Sequence, residues 1–328
     1  MIAALGFPGS FTLARFRFRL RAVSAFRLPP YSGQTWRGGF GTVFRQSVCV
    51  QPRQECPACL LRQRCAYPFV FESFPHEEAA RLRNYRDIPR PYVIEPPLPE
   101  QSGPLQFRPG EEFSFGLVLM GQAIDYLPYF VVTFLELGQA GIGKDRGRYE
   151  LVGVEADRPE GPVLVYDGAG GKLRAADVAW PANDLAASLP RPVPSRLTFR
   201  FLTPVRIRLK DHFVKPIEFS HLVRALLHRV SALCYFYGGE ALEWPYTELI
   251  AAAERVQIVA EQTRWSDLER YSTRQDARLK MGGVVGWTTY AGPDLDRFAP
   301  LLAVGEWTHV GKLAVMGLGK YEVGSSRS

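Results

Sequence analysis

The chain has 328 residues, of which 46% are hydrophobic, and its 40 basic and 33 acidic residues give a formal net charge of +7. This length favours two globular domains. No apolar run approaches the roughly eighteen residues of a membrane-spanning helix, and the opening MIAALGFPGSF lacks the basic region of an export signal. These features exclude membrane and secreted proteins, so we expect a cytoplasmic protein with no membrane partner.

Basic residues are concentrated in residues 1–65, where Glu55 is the only acidic residue. Within them, ARFRFRLRA alternates so that a strand would place phenylalanines and leucine on one face and four arginines on the other. An acidic polymer is the natural partner for such a face, and an arginine-rich solvated surface is the alternative.

The first half of the chain predicts strands and helices in the order of a ferredoxin-like fold. After the arginine strand, QTWRGGFGTVFRQSV predicts a helix, and IPRPYVIEPPLPE predicts an irregular linker. EEFSFGLVLM then predicts a strand, IDYLPYFVVTFLELG a helix ending at Gly138, and GRYELVGVEA a strand. This order predicts an N-terminal ferredoxin-like domain over residues 1–190, with a cysteine-bearing insertion at about 49–100.

A second domain, residues 191–328, is predicted after the proline-rich SLPRPVPS. SRLTFRFLTPVRIRL predicts a long strand, EFSHLVRALLHRVSALCYFYG and TELIAAAERV predict helices, and VQIVAEQTRW and GGVVGWTTYAG predict strands. DLDRFAPLLAVG predicts the last helix, before a final strand. The whole chain therefore belongs to the α+β class, with an open sheet backed by helices in each half.

Four of the five cysteines, Cys49, Cys56, Cys59 and Cys65, lie in CVQPRQECPACLLRQRC. Four thiolates with this clustering can form the tetrahedral shell of one metal ion, with zinc as the simplest occupant and an iron–sulfur cluster as the less favoured one. Unligated thiols remain the alternative, because the outer spacing matches no common zinc finger. Cys234 lies on the apolar side of a predicted helix and is expected in the core.

The segment THVGKLAVMGLGKYEV, residues 308–323, contains three closely spaced glycines and two lysines. It is not a phosphate-binding P-loop, because Tyr321 stands where Ser or Thr is required. It is not a dinucleotide fingerprint, because Glu322 stands at the third glycine position.

Glycines have no side chain to shield the backbone, so the amides near Gly311, Gly317 and Gly319 are open to close approach. Lys312 and Lys320 lie beside these glycines. Such a segment predicts contact with a phosphate backbone, and a hairpin with glycines at its bends is the alternative.

Five segments, taken in order, resemble the CRISPR repeat-RNA processing endoribonucleases of the RAMP superfamily. They are YSGQTWRGGFG, CPACLLRQRCAYPFVFE, LTFRFLTPVRI, RWSDLERYSTRQDARLKMGGVVGWTTYAG and HVGKLAVMGLGKY. The last is the most specific, since it is similar to the C-terminal glycine-rich loop of that superfamily.

The resemblance implies two tandem ferredoxin-like (RRM-like) domains and cleavage of CRISPR repeat RNA in a precursor transcript. It implies attack by the ribose 2′-hydroxyl on the adjacent phosphate with no metal cofactor required, and retention of the guide RNA product by many members. Other CRISPR effector subunits are the further partners it implies.

Such chemistry needs a base, an acid and a cation near the reacting phosphate. Many relatives carry a catalytic histidine near the first helix, whereas residues 28–48 contain none here. We therefore predict His309 as the proton-transfer group, because it precedes the glycines with Lys312 nearby, and Tyr31 and Arg37 as assisting residues. A histidine that only fixes the loop is the alternative.

In RYSTRQ, the residues Arg270, Arg274 and Gln275 combine charge with hydrogen-bond donors beside a tyrosine, a mixture suited to RNA. A salt-bridged surface would use the same residues. Three functional classes follow: a repeat-specific endoribonuclease, a non-cleaving RNA-binding subunit of a CRISPR effector complex, and an unrelated metal-bearing nucleic-acid module.

Overall fold

The computed structural model describes residues 5–73, 88–99, 103–174, 176–187, 195–272 and 277–325. They form two compact units, Leu13–Ala179, and Met1–Thr12 together with Trp180–Ser328. The predicted domain boundary, between residues 190 and 191, falls outside the described residues and stays a prediction. None of the helices in the described ranges is long and apolar enough to cross a membrane.

The unit Leu13–Ala179 is an antiparallel sheet covered by two helices. Its strands are β1 (Thr12–Ala22), β2 (Phe26–Leu28), β3 (Tyr92–Glu95), β4 (Leu105–Phe107), β5 (Glu112–Met120), β6 (Tyr149–Ala156), β7 (Val163–Asp167) and β8 (Lys172–Leu173). Its helices are α1 (Gly33–Val48) and α2 (Leu127–Ala140). The strand order in the sheet is β3-β5-β1-β6-β7-β8, while β2 and β4 form a separate ribbon.

The alternation in β1 decides which of its sides is buried. Phe16, Phe18 and Leu20 are at most 1% exposed, and Phe18 stacks on Phe115 with ring centroids 4.9 Å apart. Trp36 of α1 lies 4.7 Å from the same Phe115 ring. The predicted arginine strand and first helix are thus confirmed, and aromatic packing joins them.

One prediction for this unit is wrong: IPRPYVIEPPLPE contains a strand. Tyr92, Val93 and Ile94 are fully buried and pair antiparallel with β5. The prolines flank this strand and do not interrupt it, so they do not remove its hydrogen-bond donors. The predicted helix end at Gly138 is also exceeded by two residues, since α2 continues to Ala140.

The other unit contains a four-stranded antiparallel sheet and most of the remaining helices. Its strands are β9 (Trp180–Pro181), β10 (Arg196–Val205), β11 (Arg208–Leu209), β12 (His212–Phe213), β13 (Gln257–Ser266), β14 (Glu269–Ser272), β15 (Ala277–Lys280), β16 (Gly283–Ala291) and β17 (Tyr321–Ser325). Its helices are α3 (Ala182–Ala187), α4 (Phe219–Leu233), α5 (Tyr246–Ala253) and α6 (Ala299–Thr308). The main sheet has the order β13-β16-β10-β17.

Most predicted elements of this half are confirmed, with one interruption. The predicted long strand ends at Val205, and a short hairpin, β11–β12, follows after Arg206. The predicted helix α4 buries an apolar stripe, at Phe219, Leu222, Val223, Leu226, Val230 and Leu233. Cys234 is also buried, and burial raises the pKa of its thiol.

Both units are ferredoxin-like, because each sheet arranges its four central strands in the same way. The chain order is β1, β3, β5, β6 in one unit and β10, β13, β16, β17 in the other. In each sheet the first strand lies between the last and the third, and the second is outermost among the four. The predicted α+β class is therefore confirmed.

Candidate nucleic-acid interface

The glycine-rich loop, residues 309–320, begins where α6 ends and folds back onto the end of β10. The amide of Lys312 donates to the carbonyl of Arg206 over 2.8 Å, and that of Gly319 donates to Pro204 over 3.1 Å. The Thr203 hydroxyl donates to the carbonyl of Gly317 over 2.8 Å. These contacts make the loop a fixed part of the sheet's end.

Several loop amides are therefore used inside the protein. The amide of Val310 donates to Gly319 over 3.0 Å, and the amide of Lys320 donates to the Thr203 hydroxyl over 2.8 Å. Together with those of Lys312 and Gly319, these amides are not available to an anion in this arrangement. The lysine side chains are the cationic groups that the loop offers.

The backbone of the glycine-rich loop adopts positive φ angles at its three glycines, and this conformation requires glycine there. Gly311, Gly317 and Gly319 have φ of 84°, 83° and 74°, a region that disfavours residues with a Cβ atom. A Cβ at Gly311 would overlap the carbonyl oxygen of Arg206, and one at Gly319 would overlap that of Val310. The sequence pattern thus reflects close backbone packing within the loop.

His309 is 0% exposed and has a positive φ of 61°. Its Nδ1 lies 3.1 Å from the carbonyl oxygen of Leu318, and its amide donates to Gly305 over 2.8 Å. Arg229 of α4 donates through Nε to the preceding carbonyl, that of Thr308, over 2.7 Å. These contacts favour the loop-fixing alternative, because a buried imidazole reaches RNA only if the loop opens.

His228 lies on α4, the helix that also carries Arg229. Enclosure by its surroundings, followed by the charges of Lys312 and Arg229, lowers the pKa of His228, although its side chain is exposed. An exposed imidazole that is neutral near pH 7, beside a loop lysine, has the state that a general base needs. No local motif marks this residue, since its proximity to Lys312 arises only on folding.

Tyr31 and Arg37 lie at the start of α1, in the unit Leu13–Ala179. Burial, and then the carboxylate of Glu95, raises the pKa of Tyr31 well above its ordinary value, so it stays a neutral phenol. The guanidinium of Arg37 lies 4.2 Å from the centroid of the Phe71 ring. Because His309 belongs to the other unit, the three predicted catalytic residues divide between the two units, and their roles stay predictions.

The arginine strand is largely engaged in ion pairs. Arg15 pairs with Glu95 at 3.6 Å and Arg19 with Glu155 at 3.1 Å. Arg21 pairs with Glu112 at 2.7 Å. The solvated-surface alternative therefore accounts for these three arginines.

Two of the predicted RNA-binding residues, Arg274 and Gln275, lie outside the described residues. Arg270 belongs to β14, opposite Leu279 of β15, so RYSTRQ begins on one strand of a hairpin. The RNA-binding role of all three stays a prediction.

The cysteine segment forms short turns, with a 3₁₀ turn at Cys56–Ala58. Among the described residues, no group of three or more His, Cys, Asp or Glu side chains is arranged to hold a metal ion. Burial, with added repulsion from Glu72 and two neighbouring cysteines and partial relief from Arg45, raises the pKa of Cys56. A bound metal ion would itself lower the pKa of its thiol ligands, so the metal centre stays a prediction.

Comparison with known families divides the chain in two. Residues 11–178 match the family described as AF_1859_N, N-terminal domain. Residues 199–321 match CRISPR-associated endoribonuclease Cas6. An uncharacterized protein of Archaeoglobus fulgidus is 28% identical over 324 residues, covering 96% of this chain and all of the relative.

Solved structures of low sequence identity share the fold. Thermus thermophilus Cas6 is 14% identical with a TM-score of 0.54, covering 95% of this chain and 98% of that one. A Cas6 product complex of the same protein gives 16% identity and a TM-score of 0.55, covering 94% and 98%. A partial Cas6-RT-Cas1–Cas2 complex gives 15% identity and a TM-score of 0.57, covering 99% of this chain and 47% of that one.

Proposed function

We propose that this chain, which belongs to the AF_1859_N family through residues 11–178, cleaves CRISPR repeat RNA, because its residues 199–321 match the family described as CRISPR-associated endoribonuclease Cas6. The observation that carries the proposal is that the family match extends through the glycine-rich loop, which the fold fixes against β10 with Lys312 exposed. An exposed lysine on a rigid loop can neutralise an RNA phosphate.

The proposed reaction is attack by a ribose 2′-hydroxyl on the adjacent phosphate, with departure of the 5′-oxygen of the next nucleotide. A base removes the proton of the 2′-hydroxyl, an acid protonates the leaving oxygen, and a cation stabilises the charge on the phosphorane. No metal ion is required for these roles, and the guide RNA product stays bound to the protein. Other CRISPR effector subunits are the further partners that we propose.

His309 remains a proposed proton-transfer group, with Tyr31 and Arg37 assisting, and His228 is a second candidate. Its exposure and its lysine neighbour favour His228 as a base, whereas the raised pKa of Tyr31 favours a phenol that donates a hydrogen bond. Arg37 supplies a permanent cation.

The decisive experiment incubates purified protein with labelled repeat RNA from the same genome in excess EDTA under single-turnover conditions. We expect one cut within the repeat, and no cut when the nucleotide before the scissile phosphate carries a 2′-deoxyribose. Tight binding without cleavage would instead favour a non-cleaving RNA-binding subunit, and cleavage that EDTA abolishes would contradict the metal-independent reaction.

The same assay assigns the proton-transfer group. Its removal typically lowers the rate by about two to four orders of magnitude, so His309→Ala, His228→Ala and Tyr31→Phe are compared at equal RNA occupancy. A variant that loses cleavage with unchanged RNA affinity identifies a chemical role. His309→Ala losing affinity and thermal stability together would identify the loop-fixing role.

A further inference from the structure

An exposed aromatic side chain lies next to the glycine-rich loop. Phe213, on the β11–β12 hairpin, is 39% exposed, and the guanidinium carbon of Arg206 lies 4.2 Å from its ring centroid. The ring of Trp265, on β13, lies 6.2 Å from the Phe213 ring at an interplanar angle of 48°. An arginine, a phenylalanine and a tryptophan thus meet at the end of the main sheet.

Arg206 connects this cluster to the loop. It is 7% exposed, its Nη1 donates to the carbonyl of Gly282, and its own carbonyl accepts the amide of Lys312 over 2.8 Å. The residue that holds the Phe213 ring is therefore the residue on which the loop is anchored. Phe213 and Lys312 are thus both in contact with Arg206.

The geometry leaves part of the ring open. A cation above an aromatic ring occupies one of its two faces, and the remaining exposed fraction of Phe213 is apolar surface. Lys210 and Lys215, on the hairpin and just after it, are exposed. Aromatic rings interleaved with cations are the combination by which proteins bind unpaired nucleotides. The bases stack on the rings, and the cations neutralise the phosphates.

We propose that Phe213, held by Arg206 and flanked by Trp265, stacks on an unpaired nucleobase of the RNA that binds at the glycine-rich loop. The contact positions the nucleotide and does not depend strongly on base identity, since every base has a stacking face. This inference rests on the proposed function in that RNA is the ligand, and it adds a recognition site for single-stranded RNA.

Binding measurements test the proposal with two probes, the repeat RNA and an unstructured oligouridylate labelled with a fluorophore. Loss of one stacked base costs about fivefold to a hundredfold in affinity, so we expect Phe213→Ala to weaken both probes by that factor. Phe213→Trp should bind like the parent. Leu209→Ala is the matched control, because Leu209 is an apolar residue of the same hairpin that is 46% exposed.

Phe213→Leu separates stacking from simple apolar contact, because it keeps apolar bulk and removes the ring. We expect it to bind as weakly as Phe213→Ala, with an unchanged melting temperature. Parental affinity in either variant, an equal loss in Leu209→Ala, or no binding of either probe by the parent overturns the inference. If oligouridylate binding depends on Phe213 while repeat RNA is never cut, the inference stands and the proposed cleavage fails.

Discussion

At the scale of single residues, the glycine-rich loop is specified by backbone conformation more than by side chains. Gly319 combines a φ of 74° with a position at which a Cβ would overlap the carbonyl oxygen of Val310. Since the amide of Gly319 also donates to Pro204 over 3.1 Å, this residue cannot move away without breaking the loop's attachment to β10.

We predict that Gly319→Ala destabilises the protein measurably, whereas Gly324→Ala does not. The left-handed conformation alone costs an alanine about 1–2 kcal/mol, and relief of the overlap adds to that cost. Gly324, in β17, has no atom within 4 Å of its would-be Cβ, so it is the matched control. Urea unfolding measures both free energies, and equal values for the two variants would contradict this account of the loop.

The sequence predicted that these glycines form a loop, but not what each residue in it does. The tight turns follow from glycine chemistry and need no tertiary information. The burial of His309 depends on the carbonyl of Leu318 and on α6, and the proximity of His228 to Lys312 depends on how α4 packs. Both features depend on how the folded segments pack, and His228 and Lys312 are also far apart in sequence, so no local pattern predicts them.

At the scale of elements, the secondary structure was predicted correctly where one segment contains a full periodic pattern of apolar residues. The alternation in β1 and the apolar stripe of α4 each identify an element and its buried side. β3 was missed because its four residues lie among prolines, and its burial is decided by pairing with β5. The ion pairs of β1 were missed for a related reason, since the carboxylates that pair with Arg15, Arg19 and Arg21 come from β3, β5 and β6. Contact of β1 with an acidic polymer stays a prediction.

The cysteine segment yields a prediction at this scale. Cys49, Cys56, Cys59 and Cys65 are partly exposed, whereas Cys234 is buried. If these four thiols are unligated, elemental analysis of protein purified without added metal gives less than one zinc or iron per chain. A thiol reagent then modifies the four partly exposed cysteines in the native state and Cys234 only on unfolding.

A metal centre predicts the opposite behaviour. One zinc per chain, together with four thiols that react only after a chelator is added, would restore the tetrahedral site inferred from the sequence. Cys56→Ser would then release the metal, while Cys234→Ala would retain it.

At the scale of the whole molecule, the charge that matters for RNA is not the total of +7. Arginines that pair with carboxylates on the same sheet contribute little net potential, whereas Lys312 of the glycine-rich loop is exposed within a segment that contains no acidic residue, VGKLAVMGLGK. The pI of 9.2 describes the whole chain and therefore does not show where the positive charge available to RNA lies.

This distribution predicts how affinity responds to salt. Each phosphate neutralised on a single strand contributes a slope of about 0.7 to the fall of log affinity with log salt, because condensed counterions are released. The double variant Lys312→Ala, Lys320→Ala should therefore weaken repeat-RNA binding and reduce the slope by up to about 1.4. Arg19→Gln is the control, because Arg19 already pairs with Glu155 at 3.1 Å and with Glu112 at 3.8 Å, and its slope should change little. Binding isotherms at several salt concentrations measure both slopes, and a double variant with the parental slope would show that the loop lysines do not contact phosphate.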